Sequence, residues 1–198
     1  MTSKWLWWGI GCALFVVAAL AIRSGCEHAR QEALAKAKAR ELQSAQEAVE
    51  EGRASQDVYV SCQEIIPAIA ADEACCKNIQ SLYFWLLDMD YDPNFDYSPI
   101  QKLENLREIH FYCTYSEDVL KAAEGMESIE ELGFELSGPS LEGIDLLASF
   151  PNLKKVTFEQ VMSREEIDKL EATLPGVELG ITATEESEAA IRDAASSR

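Results

Sequence analysis

Four segments of the chain share one alternation of apolar and polar positions: a large aliphatic, two variable residues, a second aliphatic, one variable residue and phenylalanine. They are Ile79-Gln80-Ser81-Leu82-Tyr83-Phe84, Leu106-Arg107-Glu108-Ile109-His110-Phe111, Ile129-Glu130-Glu131-Leu132-Gly133-Phe134 and Leu153-Lys154-Lys155-Val156-Thr157-Phe158. Their starts lie 27, 23 and 24 residues apart, and a shortened copy, Val177-Glu178-Leu179-Gly180-Ile181, closes the series. Alternation over so few residues predicts a short strand with one face buried. Between the copies the apolar spacing changes to three and four, as in Leu120, Ala123, Met126 and Ile129, or Ile144, Leu147, Phe150 and Leu153. Ile100, Leu103 and Leu106, and then Ile167, Leu170, Leu174 and Val177, follow the same rule, so each interval predicts a short helix leading into the next strand. Helix starts are marked by Ser98 before Pro99, by Ser116 and Ser140, and by Ser163-Arg164-Glu165-Glu166, which has the form of a capping box. The expected class is therefore α/β, with strand and helix alternating.

This alternation resembles the leucine-rich repeat family, whose pattern L-x-x-L-x-L-x-x-N/C-x-L gives one strand and one helix per repeat in a solenoid. The resemblance covers residues 79–181. At the family's asparagine, whose side chain bonds backbone groups along the loop, this sequence has Leu87, Thr114, Ser137 and Val161. One repeat cannot bury its apolar face alone, so a cap is expected over 53–78. Its core would be a helix from Val58 to Ala71 carrying Cys62, Ile65, Ile66 and Ile69 and bent at Pro67. Residues 182–198, rich in Ala, Glu and Ser, are expected to form a flexible acidic tail.

Ahead of the repeats, residues 5–22 hold no charged side chain over 18 positions. A helix of that length rises about 27 Å, close to the hydrocarbon thickness of a bilayer. Trp5, Trp7 and Trp8 gather at one end and Lys4 and Arg23 bracket the stretch, which predicts a single transmembrane helix behind an N-terminal tail of residues 1–4. Two processing routes compete with it: cleavage after Ala19-Leu20-Ala21, and lipidation of Cys26. Arg23, Arg30, Lys36, Lys38 and Arg40 follow the stretch against Lys4 before it, which assigns the C-terminal domain to the cytoplasmic side. Residues 23–52 hold many helix formers and predict a helical stalk ending at a Gly52 C-cap. Leu34, Leu42 and Val49, with Ala37 and Ala45 between them, form a thin apolar stripe that suits a solvated spacer or a weak homodimer through the stalk.

Charge sharpens the division. The 198 residues include 35 acidic and 17 basic ones, for a net charge of -18. Residues 1–52 balance at six of each, so the whole excess lies beyond them. That excludes a basic nucleic-acid binder, while a 47% hydrophobic fraction excludes a wholly disordered acidic chain.

Period-two alternation assigns the outward strand positions. They are Ser81, Tyr83 and Trp85; Glu108, His110 and Tyr112; Glu131, Gly133 and Glu135; Lys155, Thr157 and Glu159. Among them Tyr83, Trp85, Glu108, His110, Tyr112, Glu131 and Glu135 form the candidate binding face, aromatic on one side and acidic on the other. The acidic stretch with Asp88, Asp90, Asp92, Asn94 and Asp96 places oxygens at every second position, but Pro93 and Pro99 stand where an EF-hand needs Gly and Glu. Cys75-Cys76 lacks the spacing of metal ligands, and Cys76, three residues before Ile79, is expected in the core. His110 and Cys113 project to opposite faces of a strand, and no phosphate-binding glycine loop or nucleophile elbow is present. The sequence therefore points to a membrane-anchored, non-catalytic protein-interaction module without a cofactor, whose partner is a protein with a basic surface. The alternatives are a calcium-dependent module working through residues 88–96 and a structural spacer.

Overall fold

The computed structural model describes the backbone of residues 3–85, 92–112, 116–135, 138–141 and 143–184, with side chains from Ala29 to Thr182 within those ranges. The chain divides into two compact units, residues 1–42 and 43–198.

The first unit is helical. Helix α1 spans Ser3–Ala54, and its residues up to 42 make up this unit. Lys36 donates to Glu32 at 2.8 Å, one turn apart, and Leu34 and Leu42 stand 61% and 62% exposed. Among the described residues no helix is long and apolar enough to cross a membrane; the side chains of the expected span, 5–22, lie outside them.

The second unit is an α/β fold built on a six-stranded parallel sheet in which every strand lies beside its sequence neighbours, in the order β1 to β6. The strands are β1 (Asp57–Val60), β2 (Ser81–Phe84), β3 (Glu108–Phe111), β4 (Glu131–Phe134), β5 (Lys155–Met162) and β6 (Glu178–Thr184). Between them run α2 (Ile65–Ala70), α3 (Glu73–Asn78), a 3-10 turn (Ser98–Lys102), α4 (Ser116–Ala122), α5 (Ile144–Leu147) and α6 (Arg164–Thr173). The register equates Ser81, Glu108, Glu131, Lys155 and Glu178, so the sequence copies coincide in space.

The invariant aromatic of the pattern has a direct packing role. Phe84, Phe111, Phe134 and Phe158 are fully buried and stack ring on ring, with centroids 5.5, 5.2 and 5.1 Å apart. Leu82, Ile109, Leu132 and Val156 form a parallel buried row, and Ile79, Leu106 and Ile129 close the core from the helical side. Each of these four repeats thus supplies one ring and two aliphatics, and stacking makes the core continuous.

Hydrogen bonds repeat as well. The carbonyl of Gln80 accepts from the backbone of Arg107 and Glu108, that of Arg107 from Glu130 and Glu131, and that of Glu130 from Lys154 and Lys155. In three of the repeats an asparagine that reaches back to the preceding turn stands one residue before the first aliphatic. Asn78 donates to Gly52 and Ser55 oxygens, Asn105 to Lys77 at 2.7 Å and Asn152 to Glu127 at 2.7 Å. These bonds satisfy carbonyls that no helix or strand ladder reaches.

Several expectations are corrected. Val58–Val60 is strand, not the start of a cap helix, so the repeats begin at residue 57 and not 79. Val58-Tyr59-Val60 keeps the alternation, but Ser55 stands where the other repeats have their leading aliphatic. The helix in this segment is only α2, and Pro67 lies in its first turn, where a missing N–H leaves no bond unmade. The cap is instead the end of α1, from which Ala45 and Ala48 are 5% and 3% exposed and Val49 packs on the core. Gly52 does not stop that helix. It lies within α1, and a Cβ there would come 2.9 Å from Ile79 Cδ1 and 3.1 Å from Cys75 Sγ, so the glycine permits close approach of the helix to the first repeat.

The buried cysteine is Cys75 rather than Cys76: α3 turns Cys75 inward at 0% exposure, its Sγ 3.3 Å from the Val49 oxygen, and leaves Cys76 half-buried. Asp72 caps α3 through the backbone of Ala74 and Cys75 and pairs with Arg53, which holds its carboxyl well below the usual range. Thr182 and its neighbours up to 184 belong to β6, so the expected tail is shortened to 185–198, which lies outside the described residues. Ser163 forms its capping box, accepting from Glu166 N at 3.3 Å while Glu166 accepts from Ser163 N at 2.7 Å. At Ser98 the capping oxygen comes from Asp96, which accepts the Ser98 N–H at 2.9 Å.

Candidate functional site

The strand positions that do not enter the phenylalanine core form three rows across the other face of the sheet. The middle row begins with Tyr59, Tyr83 and His110. Their rings stack with centroids 5.1 and 4.8 Å apart, the second pair only 8° from parallel. The next position is Gly133, and a Cβ there would collide with Nδ1 of His110. Thr157 and Gly180 complete the row.

A second row follows the carboxyl ends of the strands. Trp85 and Tyr112 stack at 5.0 Å, and Glu135 comes after them on the next strand. The Tyr112 hydroxyl bonds the Glu135 carboxylate, and this bond, then burial, pushes the phenol up to about 12. Glu159 follows Phe158, the register partner of Phe134, and is exposed, at the register shift of β5 between Phe158 and Val161.

The third row, at the amino ends, is charged: Asp57, Ser81, Glu108, Glu131, Lys155 and Glu178. Lys155 lies 2.7 Å from Glu131, and the fields of Glu178 and Glu108 add to that bond in raising the ammonium above its ordinary value. His110 Nε2 is buried without a hydrogen-bond partner, 3.6 Å from Glu108.

All seven residues expected on the binding face, Tyr83, Trp85, Glu108, His110, Tyr112, Glu131 and Glu135, thus lie on one side of the sheet. Ser81 shares their alternation but is buried at 6% exposure. The residue that the repeat pattern missed is Tyr59, which starts the stack and stands 56% exposed, with Trp85 at 53%. Its signal was the alternating Val58-Tyr59-Val60.

The acidic stretch has other duties where it is described. Asp92 accepts from Asn94 N at 2.9 Å, in a turn, and Asp96 caps the 3-10 turn; Asp88 and Asp90 lie outside the described residues. Gln63, 3% exposed, ties this segment down: its oxygen accepts from Asp92 N at 2.8 Å while its amide donates to the Asp92 oxygen and to Tyr97 Oη. Cys75 and Cys76 are free thiols. Burial pushes the Cys75 thiol up to about 11, which keeps it protonated and poorly nucleophilic. Cys12, Cys26 and Cys113 lie outside the described side chains.

In comparisons with known proteins, no family model matches the chain, and neither a curated protein nor a solved structure matches it.

Proposed function

We propose that the chain is a membrane-anchored, non-catalytic interaction protein of the leucine-rich repeat type, which captures another protein on the concave face of its sheet. The observation that carries this reading is the pair of aromatic stacks. Tyr59 and Trp85 expose more than half of their surface yet are held in place by Tyr83 and Tyr112. Rigid, exposed rings lose little entropy on binding and supply large contact area, the property of interface hot spots.

The repeat assignment draws support from Gln63. Counted from Val58 as the other repeats are counted from Leu82, it occupies the family's asparagine position, and its amide bonds the backbone at Asp92. The anchor rests on the uncharged run 5–22 and its flanking tryptophans, and the mechanism is tethering, which raises local concentration at the bilayer.

The test replaces Tyr83, Trp85 and Tyr112 with Ala and measures photo-crosslinked partner yield in membranes, with circular dichroism to verify the fold. The yield is expected to collapse; an unchanged yield from the folded variant would remove the face from consideration. A topology reporter fused after Arg198 tests the anchor and its expected cytoplasmic orientation.

A further inference from the structure

The face changes chemistry from one edge of the sheet to the other. On β1 to β3 it carries Tyr59, Tyr83, Trp85, His110 and Tyr112 in two stacks, with Asp57 exposed at the amino end of β1. From β3 to β6 it carries Glu108, Glu131, Glu135, Glu159 and Glu178. Lys155, the one cation of this face among the described strands, is already taken by Glu131 and lies in the fields of Glu178 and Glu108. Glu135 is a different case. It accepts a neutral hydroxyl from Tyr112, which orients the carboxylate without cancelling its charge and leaves lone pairs for further donors. Glu159, on the neighbouring strand, is exposed.

We propose that the partner presents a short extended segment that crosses the strands with an apolar end on Trp85 and Tyr59 and a Lys/Arg end over Glu135 and Glu159. This rests on the reading of the face as a capture surface and adds the chemistry and direction of what is captured. Parallel strands lie about 4.8 Å apart, so Trp85 to Glu159 spans three spacings, about 14 Å, or roughly four residues of extended chain. The apolar end covers rings that would otherwise remain in water, and the cationic end meets two carboxylates on adjacent strands. A segment of reversed polarity would put its cations over the aromatic stacks and leave Glu135 and Glu159 facing apolar side chains, an uncompensated desolvation. An acidic segment is repelled outright, and a net charge of -18 extends that repulsion to nucleic acid.

The experiment uses the full chain in zwitterionic nanodiscs and a short acetylated peptide with leucines at one end and arginines at the other. Its counterparts carry glutamate for arginine or serine for leucine, and empty nanodiscs give the blank. The leucine–arginine peptide is expected to bind tightest, and E135Q/E159Q to weaken it about tenfold or more. E124Q/E171Q, with the same change of charge on exposed positions away from the face, is expected to leave it unchanged. W85A should remove the advantage of leucine over serine.

Equal losses from both carboxylate pairs would reduce the effect to general attraction by an acidic protein and overturn the proposal. So would equal binding of the serine and leucine peptides. If the aromatic triple variant loses its partner while the peptides do not discriminate, the capture face stands and the assigned chemistry falls.

Discussion

The imidazole of His110 occupies the volume that any side chain at Gly133 would need: a Cβ there would collide with Nδ1 and lie 3.2 Å from Cε1. Because the ring is fixed from the other side by Tyr83 at 4.8 Å, the glycine completes the aromatic stack as much as the aromatics do. Gly133→Ala should therefore force His110 out of the row. The expected cost is about 1 kcal/mol, the worth of an aromatic pair, since the ring can rotate towards solvent. A double-mutant cycle with His110→Ala in urea unfolding measures it. The alanine at 133 should cost nothing further once the ring is gone, and additive effects would show that the two residues do not share the space.

Gln63 makes a second prediction. Its amide is buried and joins Asp92 N, the Asp92 oxygen and Tyr97 Oη, so Gln63→Ala would leave buried polar groups without partners. A loss of about 2 kcal/mol is expected, within the range for orphaned buried groups. Amide exchange locates the loss: protection should fall first at Asp92, whose N–H is the donor to Gln63, before the strands open. Uniform loss of protection across the sheet would mean that Gln63 supports the whole fold and not this segment.

The contrast between Gln63 and the phenylalanines explains what the sequence made legible. A side chain that recurs at a fixed interval and points into the core, such as Phe84, Phe111, Phe134 and Phe158, announces both its strand and its face, and the register follows from the interval. The face with Tyr83, Trp85, His110 and Tyr112 was legible by the same alternation. Terminal repeats were harder because they meet something other than another repeat. The first has Ser55 for its aliphatic since the end of α1 covers it, and Gly52 looks like a helix stop in one dimension but a packing contact in three. The choice between Cys75 and Cys76 turned on one step of helix phase, which the Asp72 cap determines. The asparagines at 78, 105 and 152 stood before three of the leading aliphatics, Ile79, Leu106 and Leu153, in plain view. Their role needed the preceding turn as well, because the carbonyls they bond lie more than 20 residues earlier in the chain.

The link between Tyr112 and Glu135 ties the face to pH. The phenol is raised to about 12, by its bond to the carboxylate first and by burial second, against about 10 in an unfolded chain. Below pH 10 the phenol is neutral in both states and its contribution to stability is whole. As pH rises from about 10 towards about 12, the unfolded chain releases the proton first, so the unfolded state is favoured and the contribution is lost across that window. Glu135→Gln replaces the charged acceptor with a neutral amide, which removes the repulsion that a phenolate at Tyr112 would meet. The titration of Tyr112 should then move down towards 10, visible as a difference between the near-ultraviolet phenolate curves of the two proteins. Coincident curves would show that burial alone holds the phenol, and Glu135 would then have no fixed orientation from which to meet a cation.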